Sequence, residues 1–299
     1  MRRSLLFLLL FIALLPANAQ ENMELYTRIV ESCYKFKFKT ADSLINQFEK
    51  QSPGIDALLL RSNLQWWQII SGNDRPATRE QYYQTLLEAE KLLLQEKKTD
   101  NDLHIYRAIF LYGYLARMDG LNSHYLKAFL RMRTCYKHLQ KSFGHEDRFN
   151  YFYLSSGLYN YHMDNAGANY PVLIPYLYFY PEGDAKKGIQ MLEKAAMLNN
   201  KILNTEATYF LMKIYIDEKK YIPSLTYSTK LVLTYPNNCL YLYYQFYALL
   251  QLNQVQDAKE ILTKIIRISE SNVELNGTQN TYFAQLAQKN IQEHLNRKK

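Results

Sequence analysis

Turn-forming residues are scarce in this chain: among 299 residues there are only 10 glycines and 8 prolines. That scarcity disfavours a β-rich fold built on tight turns. Cysteine is scarcer still, with Cys33, Cys135 and Cys239 alone. An odd number at such wide spacing is no disulfide framework, and each stands in an apolar helical context that suits a buried free thiol. After Leu5 to Leu15 no apolar run is long enough to span a bilayer, so membrane insertion is not expected. Charge of one sign is not in large excess either. The formal charge of +8 falls to +6 without Arg2 and Arg3, and part of the remainder sits in Arg297-Lys298-Lys299. A nucleic-acid partner would need a concentrated basic face and is not expected.

Catalytic signatures are missing as well. No two of the six histidines stand three or four residues apart, so no helical metal pair exists. There is no Gly-x-Ser-x-Gly elbow, phosphate loop or dinucleotide fingerprint. His145-Glu146-Asp147 is the densest set of potential ligands, but it is read as the start of a helix, where acids cap free N–H groups. Asn276-Gly277-Thr278 has the form of a glycosylation acceptor and is read as a loop turn. The expectation is a binding protein, not an enzyme, with no metal and no cofactor.

What is present begins at the N-terminus. Arg2 and Arg3 precede the apolar run, Pro16 ends it, and Ala17-Asn18-Ala19 offers a small-x-small cleavage site. This order reads as a secretory signal over 1–19, leaving Gln20 first in an exported, periplasmic or secreted protein. No cysteine at the cleavage point invites a lipid anchor.

Residues 20–299 read as one helical domain. Apolar residues recur at three- and four-residue spacing, and polar breaks fall at 51–54, 71–76, 99–102, 119–122, 143–145, 235–238 and 276–278. Lys35-Phe36-Lys37-Phe38-Lys39 alternates, but over five residues in a helical neighbourhood, so it is read as a helix end.

Two adjacent blocks, 205–238 and 239–272, repeat at a period of 34. Tyr215 falls on Leu249, Tyr221 on Val255, Ser224 on Ala258 and Leu231 on Ile265. The small residues Ser224 and Ala258 fit a helix crossing, where a larger side chain would push the pair apart. Ala41 stands twelve residues before Pro53, as Ser224 does before Pro236. Leu211, Tyr215, Ser224 and Pro236, and then Leu249, Ala258 and Leu262, resemble the tetratricopeptide repeat family. The match departs at Ser228, Gln245 and Glu270. Tyr112-Gly113 and Ser156-Gly157, with Gly188, Leu192 and Ala195, resemble stretched repeats of the same kind.

The resemblance implies an all-α fold, an α-solenoid of antiparallel helix pairs: six pairs and a terminal helix near 279–296. It also implies a concave groove that takes a protein or peptide partner. Carried over position by position, the groove would comprise Arg107, Phe110, Tyr114 and Arg117, then Tyr151, Leu154, Leu158 and Tyr161. Glu206, Tyr209, Lys213 and Ile216 would follow, and last Leu240, Tyr243, Tyr247 and Leu250. Arg107, Tyr114, Arg117, Tyr151, Tyr161, Tyr209, Lys213, Tyr243 and Tyr247 are its expected contact residues, rich in the Tyr and Arg of binding hot spots.

The chain holds 27 tyrosines, densest over 151–180. Pro171, Pro175 and Pro181 make 165–183 an insertion that cannot be one regular helix. Its rings suit burial as core. The alternative is a lid over a small hydrophobic or aromatic ligand, which would make the protein a carrier.

Overall fold

The structure, a computed structural model, describes residues 17–96, 101–169, 178 and 180–296. These form thirteen helices and no strand. In order they are α1 (Ala17–Tyr34), α2 (Phe38–Gln51), α3 (Ile55–Ile70), α4 (Pro76–Gln95), α5 (Asp102–Leu121), α6 (Tyr125–Gln140) and α7 (Phe152–Asn169). There follow α8 (Ala185–Ala195), α9 (Lys201–Asp217), α10 (Tyr221–Thr234), α11 (Cys239–Gln251), α12 (Val255–Ser271) and α13 (Gly277–Asn296). Consecutive helices pack on one another from α1 to α6 and from α7 to α13, most extensively α5 on α6 and α7 on α8. None of the described helices is long and apolar enough to cross a membrane. Of the expected leader, residues 1–16 lie outside the described residues, and Ala17–Ala19 open α1.

One turn recurs four times. Phe36, Ser123, Lys219 and Asn253 have left-handed backbones, with φ of 55°, 61°, 59° and 62°, each two residues before the second helix of a pair. The following N–H reaches back five residues in every case: Lys37 to Ser32 O, His124 to Asp119 O, Lys220 to Tyr215 O and Gln254 to Leu249 O, at 2.8–3.0 Å. This is the hydrogen bond that satisfies the last carbonyls of a helix and reverses the chain. Lys35–Lys37 is thus a complete turn between α1 and α2, and Phe38 and Lys39 open α2, so the segment is not only a helix end. Phe36 and Phe38 both point into the core.

Three positions on from the start of each second helix after these turns comes a small residue: Ala41, Ala128, Ser224 and Ala258. Gly188 holds the same place in α8. Ala41, Ser224 and Ala258 are fully buried, as a close crossing demands. The period of 34 is seen in α10 and α12, where Lys219 and Asn253 supply the turn, Ser224 and Ala258 the crossing, and Leu231 and Ile265 the core. Ala258→Leu should therefore cost about 1–3 kcal/mol by overpacking. Gln256→Leu, on the exposed face, should melt with the wild type. Equal melting temperatures for both variants would refute this register.

The two ends of the chain share one core. Cys33, Tyr34, Phe36 and Trp67 from α1 to α3 pack with Tyr235, Cys239, Tyr241 and Phe283 near the C-terminus. Polar ties cross the same seam. Asn238 Nδ2 donates to Tyr34 O at 2.8 Å, Thr40 N–H to Glu274 at 2.9 Å, and Gln279 Nε2 to Ser71 Oγ at 2.8 Å. Asn276 and Gln279 cap α13 reciprocally, side chain to backbone in both directions, so Asn276-Gly277-Thr278 is a helix start. His145-Glu146-Asp147 lies in the turns before α7 and caps nothing there. Glu146 accepts from Ser156 Oγ at 2.8 Å, and Asp147 from Tyr153 Oη and Lys194 Nζ.

Candidate functional site

The helix that anchors the site is α6. Its sequence, YLKAFLRMRTCYKHLQ, has apolar residues on more than one face, and Leu139 alone is fully buried. Tyr125, Leu126, Leu130 and Met132 are each at least half exposed. A helix with surplus apolar residues and one buried side chain leaves unfilled space on its second apolar face. That space is a cavity of about 690 Å³ between α5, α6 and α7.

Three helical stripes line it. Tyr106, Ile109, Phe110, Gly113, Tyr114 and Arg117 come from α5, at the i, i+3, i+4 spacing of one helix face. From α6 come Tyr125, Phe129, Met132, Cys135, Tyr136 and Leu139, and from α7 Leu154, Leu158, Tyr159, His162 and Met163. Tyr180 and Phe210 complete it. Tyr180 meets Tyr136 edge-on at 4.8 Å, and Tyr159 Oη donates to Pro181 O at 2.9 Å. Residues 170–177 and 179, nearly half of the expected aromatic insertion at 165–183, lie outside the described residues. Tyr178, which is described, is almost fully exposed.

The cavity is polarised by exposure. Ile109, Leu139 and Leu154 at one end are under one-tenth exposed, whereas Arg117, Tyr125 and Met132 at the other are open to solvent. Among the described lining residues none is acidic and Arg117 is the only Lys or Arg. Its guanidinium carbon lies over the ring of Trp66, 4.2 Å from the centroid, within cation–π reach. Burial pushes the Cys135 thiol up to about 12, so it stays protonated and donates to Ile109 O. The same desolvation pushes His162 down, so it lines the mouth as a neutral ring. Among the described residues no His, Cys, Asp and Glu group could hold a metal.

Sequence reasoning brings Tyr114 and Arg117 to this cavity, together with Phe110, Leu154 and Leu158 of the expected groove. The other expected contact residues are distributed around the chain and engaged within it. Arg107 is held by Asp56, at 2.8 Å through Nε. Tyr151 accepts from Asn200 Nδ2 at 3.1 Å, and the buried Tyr161 donates to Glu218 at 2.9 Å. Lys213 pairs with Asp217 at 2.5 Å. Tyr243 accepts from Asn290 at 2.8 Å, and Tyr247 packs against Tyr221 and Tyr243. Tyr209 packs on Phe210, Tyr241 and Tyr244, and burial raises its hydroxyl pKa. Beside it Glu206 accepts from Tyr34 Oη at 2.5 Å, and desolvation raises its carboxyl pKa. The α6 stripe was missed, although Tyr125, Phe129, Met132 and Tyr136 recur at helical spacing beyond what one core face needs.

The two stretched-repeat glycines separate here. A Cβ on Gly157 would lie 3.0 Å from Gly188 O, in a closed helix crossing. A Cβ on Gly113 would meet only Cys135 Sγ at 4.0 Å, because Gly113 faces the cavity. Compared with protein family models, curated proteins and solved structures, the chain matches none.

Proposed function

We propose that this chain is an exported, tetratricopeptide-like α-solenoid that carries a small hydrophobic ligand between α5, α6 and α7. The supporting observation is the cavity of about 690 Å³, whose size falls within the usual range for small-molecule sites and whose walls are mostly apolar and aromatic. The solenoid reading draws on the recurring turn at Phe36, Ser123, Lys219 and Asn253 and on the small residue that follows three positions into the second helix. A small ligand is favoured over a peptide in the concave groove because Arg107, Tyr151, Tyr161, Lys213 and Tyr243 already have partners within the chain. Binding is favoured over catalysis because the cavity's one thiol is protonated and donates to a backbone carbonyl.

Gly113→Leu tests this. Removing a glycine from a helix interior contributes about 0.5–1 kcal/mol of stability, and the new side chain would occupy the cavity. The variant should melt no lower than the wild type and lose at least about tenfold in affinity for a hydrophobic fluorescent probe, since 1.4 kcal/mol is a factor of ten. Native mass spectrometry should show a small adduct on the wild-type protein that the variant lacks. Equal probe binding by the two proteins would remove the cavity reading.

A further inference from the structure

We infer that the ligand is an elongated amphiphile with one anionic head, a long-chain carboxylate in its simplest form, seated with its head on Arg117 and its tail toward Ile109 and Leu139. This deepens the carrier reading and rests on it.

Shape supplies the first argument. The α5 stripe runs from Tyr106 to Arg117, three turns of helix and about 16 Å at 1.5 Å per residue. It suits a chain better than a compact ring system. Exposure gives the direction: Ile109, Leu139 and Leu154 form the closed end, and Arg117 and Tyr125 the open one. An amphiphile entering tail first buries its apolar part at the closed end and leaves its head at the mouth.

Charge supplies the second argument. Arg117 lines the cavity, lies over the Trp66 ring at 4.2 Å, and makes no ion pair among the described residues. Arg107, on the same helix, is by contrast held by Asp56. Two acids that reach α5 and α6 are engaged within the chain. Asp119 accepts from Tyr83 Oη at 2.6 Å, and Glu90 is paired with Arg131. Beyond the lining, α6 carries Lys127, Arg131, Arg133 and Lys137 and no acidic residue, with Arg131 paired to Glu90. An anion is drawn to a guanidinium that has no ion pair of its own, and its two parallel N–H groups suit a carboxylate.

The test is competition against a fluorescent polyene fatty acid, cis-parinaric acid, by laurate, methyl laurate and dodecanol, on the wild type, Arg117→Gln and Arg117→Lys. For the wild type, laurate should compete at least about tenfold better than the ester or the alcohol, the scale of a charge-assisted hydrogen bond. Arg117→Gln should erase that preference while leaving the ester and alcohol unchanged, and Arg117→Lys should restore part of it. Added salt should weaken laurate and spare dodecanol. If laurate and dodecanol compete equally, or if Arg117→Gln weakens all competitors alike, the anionic head is wrong and the cavity reading stands. If neither the probe nor any competitor binds, the carrier reading itself fails.

Discussion

Gly188→Val should unfold at a markedly lower temperature than the wild type and lose ligand binding with it. Gly188 sits in α8 where that helix crosses α7, and a Cβ there would lie 2.6 Å from Tyr161 N and 2.7 Å from Gly157 O. Both contacts are backbone atoms, so no side chain can rotate away, and the two helices must separate. Leu192 and Ala195 of α8 pack with Leu154 and Tyr161 of α7 in the same core, so separation opens packed surface as well. Overpacking of this kind typically costs about 1–3 kcal/mol, sometimes more. The branched side chain adds to the clash that alanine would already make. Because α7 also carries Leu158, Tyr159 and His162 into the cavity, its displacement should distort the site from a distance. Gly120→Ala is the control: that glycine is also helical, and a Cβ there meets nothing within 4 Å. It should hold or gain stability. The close crossing is refuted if Gly188→Val melts with the wild type.

The helical class was legible because periodic apolar residues and polar breaks are local signals. The breaks at Gln51–Gly54, Ser71–Pro76 and Tyr235–Asn238 fall between helices because Pro, Gly or an Asn cap stands in each. The turns at Phe36, Ser123, Lys219 and Asn253 were harder to see, since the left-handed position is most readily recognised when it holds glycine. There the chain reverses through its hydrogen bonds and burial, with Phe36 held by the core itself.

The site was only half legible, for a different reason. Tyr114 and Arg117 were found through their helix positions, but a cavity arises where two helices fail to meet, and no residue type encodes a gap. The available signal was compositional: α6 carries apolar residues on faces that α5 alone cannot cover. Meeting of the two ends in one core was not legible at all, because Tyr34 and Asn238 are 204 residues apart.

That meeting gives the second large expected effect. Asn238→Ala should cost about 2–4 kcal/mol, the sum of a lost helix cap and an unpaired buried carbonyl. Asn238 is fully buried, and its side chain does two jobs. Its oxygen accepts from Tyr241 N–H at 3.1 Å, capping α11, and its nitrogen donates at 2.8 Å to Tyr34 O, one of the last carbonyls of α1. Around that tie Tyr34 meets Tyr235 and Trp67 edge-on at 5.4 and 5.6 Å. Asn101→Ala is the exposed-cap comparison: Asn101 is exposed, and its side chain accepts from His104 N–H at 2.7 Å at the start of α5. It should cost about 1 kcal/mol. Asn238→Asp separates the two jobs further, since aspartate caps as well as asparagine but cannot donate to Tyr34 O. It would also set a carboxylate against that carbonyl. The expected order of melting temperature is wild type, then Asn101→Ala, with both Asn238 variants clearly lowest. Amide exchange in α1 and α2 should quicken in the Asn238 variants and stay unchanged in Asn101→Ala, because only the former release the N-terminal helices from the C-terminal ones. If Asn238→Ala and Asn101→Ala melt together, the bond to Tyr34 contributes nothing measurable, and packing of the shared core alone holds the two ends.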